Sequence, residues 1–277
     1  METRTVQTRS GDMAHVDTGH GRVALFVHGV GTNSHLWRNV VEALSDEPER
    51  RCIAIDLPLH GATPPRQDYS LPVLAEAIED FCDALDLTGI DLVANDTGGA
   101  IAQVFAARHP ERLRTITLTN CDTHDNLPPE QFKATVELAE RGELAPLVAG
   151  DNGLEVARAS LGAGYERAEA LSDETLRVYI DPISRTPERA RDFERFLVSL
   201  RAADLLDAEP DLKKLDVPTL IVWGTGDEFF DLSWAYWLRD TIPGVTEVVE
   251  IEGAKLFFPD ERAGDLVPHL RRHWATR

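Results

Sequence analysis

Apolar and polar positions along the chain follow two periods, and their order sets the architecture. Residues 5–18 alternate around turn residues and predict a leading hairpin. Val23-Ala24-Leu25-Phe26-Val27 is a continuous apolar run, the pattern of a strand covered on both faces. Cys52-Ile53-Ala54-Ile55-Asp56, the run opening at Ile90, and residues 113–119 repeat it. Between the second and third of these runs, Ser70-Leu71-Pro72 opens a helix with Ser70 at the cap and an early proline. Leu74, Ile78, Phe81, Cys82 and Leu85 form its buried face. This alternation predicts an α/β fold with a parallel sheet covered on both sides. After Asp125-Asn126-Leu127-Pro128-Pro129 the pattern changes, and residues 130–200 read as helices alone, with candidates at 131–141, 154–161, 172–179 and 187–200. Strand patterns resume at 219–223 and 247–251, and 261–274 reads as a closing helix. The expected division is a core of residues 1–125 and 205–277 with a helical insertion over 126–204.

Composition narrows the partners. The chain has 277 residues, enough for one large domain, and a formal net charge of −20. So acidic a surface argues against nucleic acid or an anionic membrane as partner. Cys52, Cys82 and Cys121 lack zinc-like or CxxC spacing and sit in apolar runs, which predicts buried free thiols in a reducing compartment. Met1-Glu2-Thr3-Arg4 carries no apolar signal region, and no apolar run approaches the ~20 residues needed to span a bilayer. The expectation is a cytoplasmic protein with a small-molecule substrate; a homodimer is compatible with the sequence. Repeats and low-complexity segments are absent.

The candidate chemistry centres on residues 89–105. An apolar run with β-branched residues ends at Ala94, and Ala100, Ile101, Val104 and Phe105 follow at helical spacing. Only Asn95-Asp96-Thr97-Gly98-Gly99 lies between them, so Asp96 stands at the apex of a sharp strand-to-helix turn. An N-cap aspartate would satisfy the same pattern.

The segment Ala94-Asn95-Asp96-Thr97-Gly98 resembles the G-x-S-x-G nucleophile elbow of the α/β-hydrolase family, and aspartate at the apex resembles its haloalkane dehalogenase and epoxide hydrolase branch. The resemblance implies a mostly parallel eight-stranded sheet with helices on both faces and a helical cap inserted after the sixth strand. It implies no cofactor and no metal, and a carboxylate that attacks carbon to form an ester on the enzyme. His28-Gly29-Val30-Gly31 occupies the loop that supplies one oxyanion-hole amide in this family, that of Val30; Thr97 would supply the second. Leu36-Trp37-Arg38-Asn39-Val40 is similar to the dehalogenase pattern, making Trp37 a substrate-site candidate, with packing as the competing role. Leu57-Pro58-Leu59-His60-Gly61 resembles a family turn in which Asp56 and His60 act in packing. Gly224-Thr225-Gly226-Asp227 matches the turn that carries the triad acid, Asp227.

The pattern breaks where the family places its histidine. Glu252-Gly253-Ala254-Lys255 puts Lys255 there, and an ammonium facing Asp96 and Asp227 cannot take a proton from water. Three resolutions follow. Another histidine supplies the base, the best placed being His124 beside Asp122. Alternatively, Asp96 is a general base assisted by Lys255 in a lyase, isomerase or cyclase. Lastly, the cavity only binds a small molecule. The tryptophan and asparagine that hold the halide in dehalogenases correspond to Thr97 and Val30, so classical dehalogenation is not supported. In the epoxide hydrolase pattern Gly31 replaces a proline, and Tyr165 and Tyr179 are the candidate cap tyrosines. Phe229, Phe230, Phe257 and Phe258 flank the candidate turns and are expected either to line an apolar pocket or to join the core.

Overall fold

Eight strands form one sheet in the computed structural model, which describes residues 2–149 and 153–275. The chain runs through β1 (Thr3–Thr8), β2 (Gly11–Gly19), β3 (Arg22–Val27), α1 (Arg38–Ala43), β4 (Arg50–Ile55), α2 (Leu71–Ala84), β5 (Ile90–Asp96), α3 (Thr97–Arg108) and β6 (Leu113–Cys121). Six helices follow: α4 (Lys133–Glu140), α5 (Leu144–Val148), α6 (Gly153–Gly162), α7 (Asp173–Ser184), α8 (Pro187–Ser199) and α9 (Ala202–Leu212). The core closes with β7 (Thr219–Gly224), α10 (Leu232–Thr241), β8 (Val245–Ile251), α11 (Phe258–Glu261) and α12 (Ala263–Ala275).

Strand order is β1-β2-β4-β3-β5-β6-β7-β8, and only β2 runs against the others. The apolar runs occupy the middle of the sheet because helices cover both faces there; every residue of β5 and β7 is buried. The edge strand β8 carries Glu247 and Glu250 and is only partly buried. Ser70 precedes α2 without a side-chain cap bond, whereas Ser172 and Thr186 cap α7 and α8 by accepting from Thr175 N and Arg189 N.

The inserted helices divide. Helices α4 to α8 pack on one another and close a cavity over the ends of β5 and β6, while α9 packs on α3 and α2. Residues 202–204, expected to lie in the insertion, therefore begin the helix that rests on the core. The short helix α5 breaks the apolar periodicity at Pro146, and residues 144–148 carry no pattern that sequence periodicity detects.

Candidate active site

The turn at Asp96 is tight because glycines let backbones meet. A Cβ on Gly98 would stand 2.3 Å from the His28 carbonyl oxygen, and one on Gly99 would stand 2.3 Å from Cys121 Cβ. Between strand and helix, Asp96 takes φ 57° and ψ −139°, a conformation that costs energy in any residue with a side chain. Gly29 lies against it, for a Cβ there would meet Asp96 Cβ at 2.4 Å.

This approach carries the Val30 amide to 2.8 Å from Asp96 Oδ2, and the Thr97 amide also donates to the carboxylate. Two histidines brace the Val30 loop. His28 Nδ1 donates to Gly29 O and its Nε2 accepts from Leu57 N, and His60 Nε2 accepts from Gly31 N. Burial lowers His28 to about 4 and His60 to about 3, so both are neutral struts.

Asp227 follows β7 and is held by Asn120. Asn120 Nδ2 donates to Asp227 Oδ2 (2.8 Å) and to Gly224 O (3.0 Å), its Oδ1 accepts from Gly224 N, and Phe229 N donates to Asp227 Oδ1. Asn120 is a site residue that pattern reading passes over. Its signal is the polar set Thr119-Asn120-Cys121-Asp122 closing an apolar strand at the carboxyl edge of the sheet, where α/β sheets bind ligands. From the same edge Asp122 accepts a 2.7 Å hydrogen bond from the Thr97 hydroxyl. Asp122 is 1% exposed, and its Oδ1 has no partner.

Three carboxyl groups thus meet in a buried region. Burial raises Asp96 to about 7, against the pull of the Val30 and Thr97 amides, and the Asp227 charge raises it further. Burial likewise raises Asp227 to about 6, offset by Phe229 N, Asn120 and the more distant Lys255 charge. Asp122 lies well above the usual carboxylate range, through burial and then the charge of Asp96. No group of three or more His, Cys, Asp or Glu side chains among the described residues is arranged to hold a metal ion.

Lys255, expected to face Asp96, and His124, expected to supply the missing base, are directed elsewhere. Lys255 Nζ pairs with Glu228 at 2.6 Å and donates to Ala163 O, so it neither contacts Asp96 nor lines the cavity. His124 Nδ1 lies 2.8 Å from Glu209 Oε2 on α9, and its ring packs on Trp237 at 4.8 Å; it too is outside the cavity. Trp37 is fully buried against Phe26, a core residue rather than a substrate contact. Tyr165 and Tyr179 face Asp260 and Arg38: Tyr165 donates to Asp260 at 3.1 Å, and Arg38 Nη1 reaches Asp260 at 2.9 Å and Tyr179 at 3.3 Å.

Asp96, Thr97 and Asp122 form the floor of a cavity of about 210 Å³ whose walls come from α4 to α8 and from Phe229, Leu256 and Phe257. The walls are almost wholly apolar, with Leu138, Leu161, Ile180 and Phe193 among them; neither tryptophan nor asparagine lines it among the described residues. Phe230 and Phe258 sit in the core instead. The arrangement offers an ionisable oxygen, two amide donors and an apolar chamber.

Sheet order, the turn at Asp96 and the cavity over the strand ends define the class, and comparison with known proteins agrees. Residues 23–261 match the family model described as alpha/beta hydrolase fold, and the chain belongs to that family. A haloalkane dehalogenase of Mesorhizobium japonicum is 41% identical over 103 residues, covering 36% of this chain and 33% of that protein. A cis-3-alkyl-4-alkyloxetan-2-one decarboxylase of Shewanella oneidensis is 26% identical over 284 residues, covering 97% of this chain and 87% of that protein. Among solved structures, the haloalkane dehalogenase DatA from Agrobacterium tumefaciens C58 superposes with a TM-score of 0.84 at 23% identity, covering 100% of this chain and 96% of that one. The epoxide hydrolase CorEH does so with 0.84 at 17% identity, with 99% of each chain covered. These structural likenesses concern the fold. Among the described residues, no helix is long and apolar enough to cross a membrane.

Proposed function

We propose that this chain is an enzyme that acts on a small, mostly apolar molecule with Asp96 as nucleophile. The observation that carries the reading is the carboxylate itself. It stands at a strained turn with Oδ2 held by the Val30 amide and the Thr97 amide also favouring its charge, on the floor of an apolar chamber. With Oδ2 fixed, Oδ1 is the oxygen that attacks carbon, and an aspartyl ester results. The same amides form an oxyanion hole for the charge that develops on Oδ2 when water adds to that ester. Helices α4 to α8 act as a cap that keeps bulk water from the ester. Asp227, held by Asn120, is the second acid of the site. The test is mass analysis of the Asp96 peptide after rapid quenching with 1,2-epoxybutane. An adduct confined to Asp96 is expected; consumption of the epoxide with an unmodified peptide rejects the reading.

One observation favours a second reading. The decarboxylase relative is similar along nearly the whole chain, whereas the dehalogenase similarity spans about a third of it. A lyase, isomerase or cyclase with Asp96 as general base predicts conversion without uptake of solvent oxygen. A binding protein predicts thermal stabilisation by a ligand that stays intact. In all three readings Lys255 is peripheral, since it is engaged by Glu228 at the surface. Exposed pairs of this kind are screened by solvent and contribute little. Lys255→Ala is therefore expected to change the rate of adduct formation by less than about threefold, as followed by quenched-flow mass analysis.

A further inference from the structure

We propose that Asp122 is the acid and then the base of this site, and that its substrates carry an oxygen leaving group, such as a strained cyclic ether. The inference rests on the reading of Asp96 as nucleophile. Asp96 and Asp122 are the only titratable residues lining the cavity among the described residues. The histidines, the tyrosines and the lysine that might have served are each committed elsewhere: His124 to Glu209, Tyr165 to Asp260, Lys255 to Glu228. Asp122 is buried beside the nucleophile, tied by Oδ2 to the hydroxyl of Thr97, and its Oδ1 has no partner. An unpartnered buried carboxyl oxygen is costly unless it has a task or carries a proton.

The distribution of donors decides which carboxyl keeps the proton. Two neighbouring carboxyls in a buried site do not both ionise readily. Asp96 receives the Val30 and Thr97 amides, so it holds the charge, and Asp122 holds the proton on Oδ1. In the first step Asp96 Oδ1 forms a bond to a ring carbon, the ring carbon–oxygen bond breaks, and that oxygen takes the Asp122 proton. The products are an ester on Asp96, a substrate hydroxyl and an ionised Asp122. Esterification removes the Asp96 charge, so ionised Asp122 is no longer disfavoured by its neighbour. In the second step Asp122 takes a proton from water as the hydroxide adds to Asp96 Cγ, and the charge on Oδ2 falls to the two amides. Collapse expels the alkoxide, which is protonated by the pair. One proton again remains between Asp96 and Asp122, and the net reaction adds water across the ring bond. One carboxyl serving as acid and then base is established chemistry in glycoside hydrolysis.

The experiment compares 1,2-epoxybutane, whose oxygen needs a proton to leave, with 1-bromobutane, whose bromide does not, on wild type and Asp122→Asn. Asparagine keeps the shape and can still accept from Thr97. With the epoxide, Asp122→Asn is expected to slow formation of the Asp96 adduct by about 10²–10⁴-fold. With the bromide it forms the adduct at the wild-type rate and then fails to clear it. The wild-type protein gives an independent reading: in heavy water, adduct formation slows with the epoxide and not with the bromide. If Asp122→Asn forms and clears both adducts at wild-type rates, or if heavy water affects the two probes equally, Asp122 has no such role and Asp96 remains the nucleophile. If wild type forms no Asp96 adduct with either probe, the nucleophile reading fails and this one falls with it.

Discussion

Asp96→Asn is expected to lower turnover by at least about 10³-fold, the scale seen when a catalytic nucleophile is removed, while raising the melting temperature. Both effects come from one feature. The carboxylate is buried, at a positive φ, against backbone that leaves no room for other side chains. An amide of the same shape keeps the contacts with Val30 and Thr97 but cannot attack carbon. Its effect on stability follows from linkage. The folded protein holds Asp96 at about 7, against 3.8 for a free aspartate. Between these values the folded form binds the proton and the unfolded form does not, so stability falls as pH rises through this range. Above about 7 the full cost of a buried charge is present. Asparagine has no charge to bury. The melting temperature of Asp96→Asn should therefore exceed that of wild type most at pH 8 and match it near pH 4. Scanning calorimetry at the two pH values checks the sign. Equal melting temperatures at pH 8 would mean that the carboxylate is not strained by burial.

The rate of ester formation should fall about tenfold for each pH unit below about 7, so that pH 5 gives about a hundredth of the rate at pH 8. Attack requires the ionised form of Asp96. Asp122 and Asp227 flank it from the turns after β6 and β7; burial and the Asp227 charge resist its ionisation, and the two amides favour it. Lys255, seated on Glu228, offsets only the Asp227 carboxyl, and from a distance. Quenched-flow measurement of the Asp96 adduct against pH, with 1-bromobutane as probe, reports this titration directly. A rate that stays flat down to pH 5 would place the ionisation of Asp96 near that of a solvated aspartate.

Much of the framework is visible in the chain because it depends on local patterns. Continuous apolar runs mark β3, β4 and β5, and the abrupt passage from Ala94 to Ala100 allows one kind of turn, so the position of Asp96 can be read from five residues. The loop at Val30 and the turn at Asp227 are close to the strand ends that position them. What stays hidden is set by partners distant in sequence. His124 is drawn to Glu209, 85 residues on, and stacked on Trp237; no periodicity announces such a pair. Lys255 has a long flexible stem, and its backbone position says little about where its ammonium lies. It finds Glu228 at the surface rather than Asp96 beneath. Tyr165 and Tyr179 are held by Asp260 and Arg38 where the inserted helices meet the rest of the chain. Asn120 and Asp122 are the converse case. Both stand in plain sight at the end of β6, yet their relation to Asp227 and Thr97 exists only once the strands lie side by side.

The most direct test of the account is turnover of 1,2-epoxybutane in water enriched in oxygen-18, followed by mass analysis of the peptide that contains Asp96. Hydrolysis through an aspartyl ester places solvent oxygen in the Asp96 carboxyl group, and the account predicts that this peptide alone becomes heavier with successive turnovers. Product that accumulates while the Asp96 peptide keeps its natural isotopic mass would contradict it.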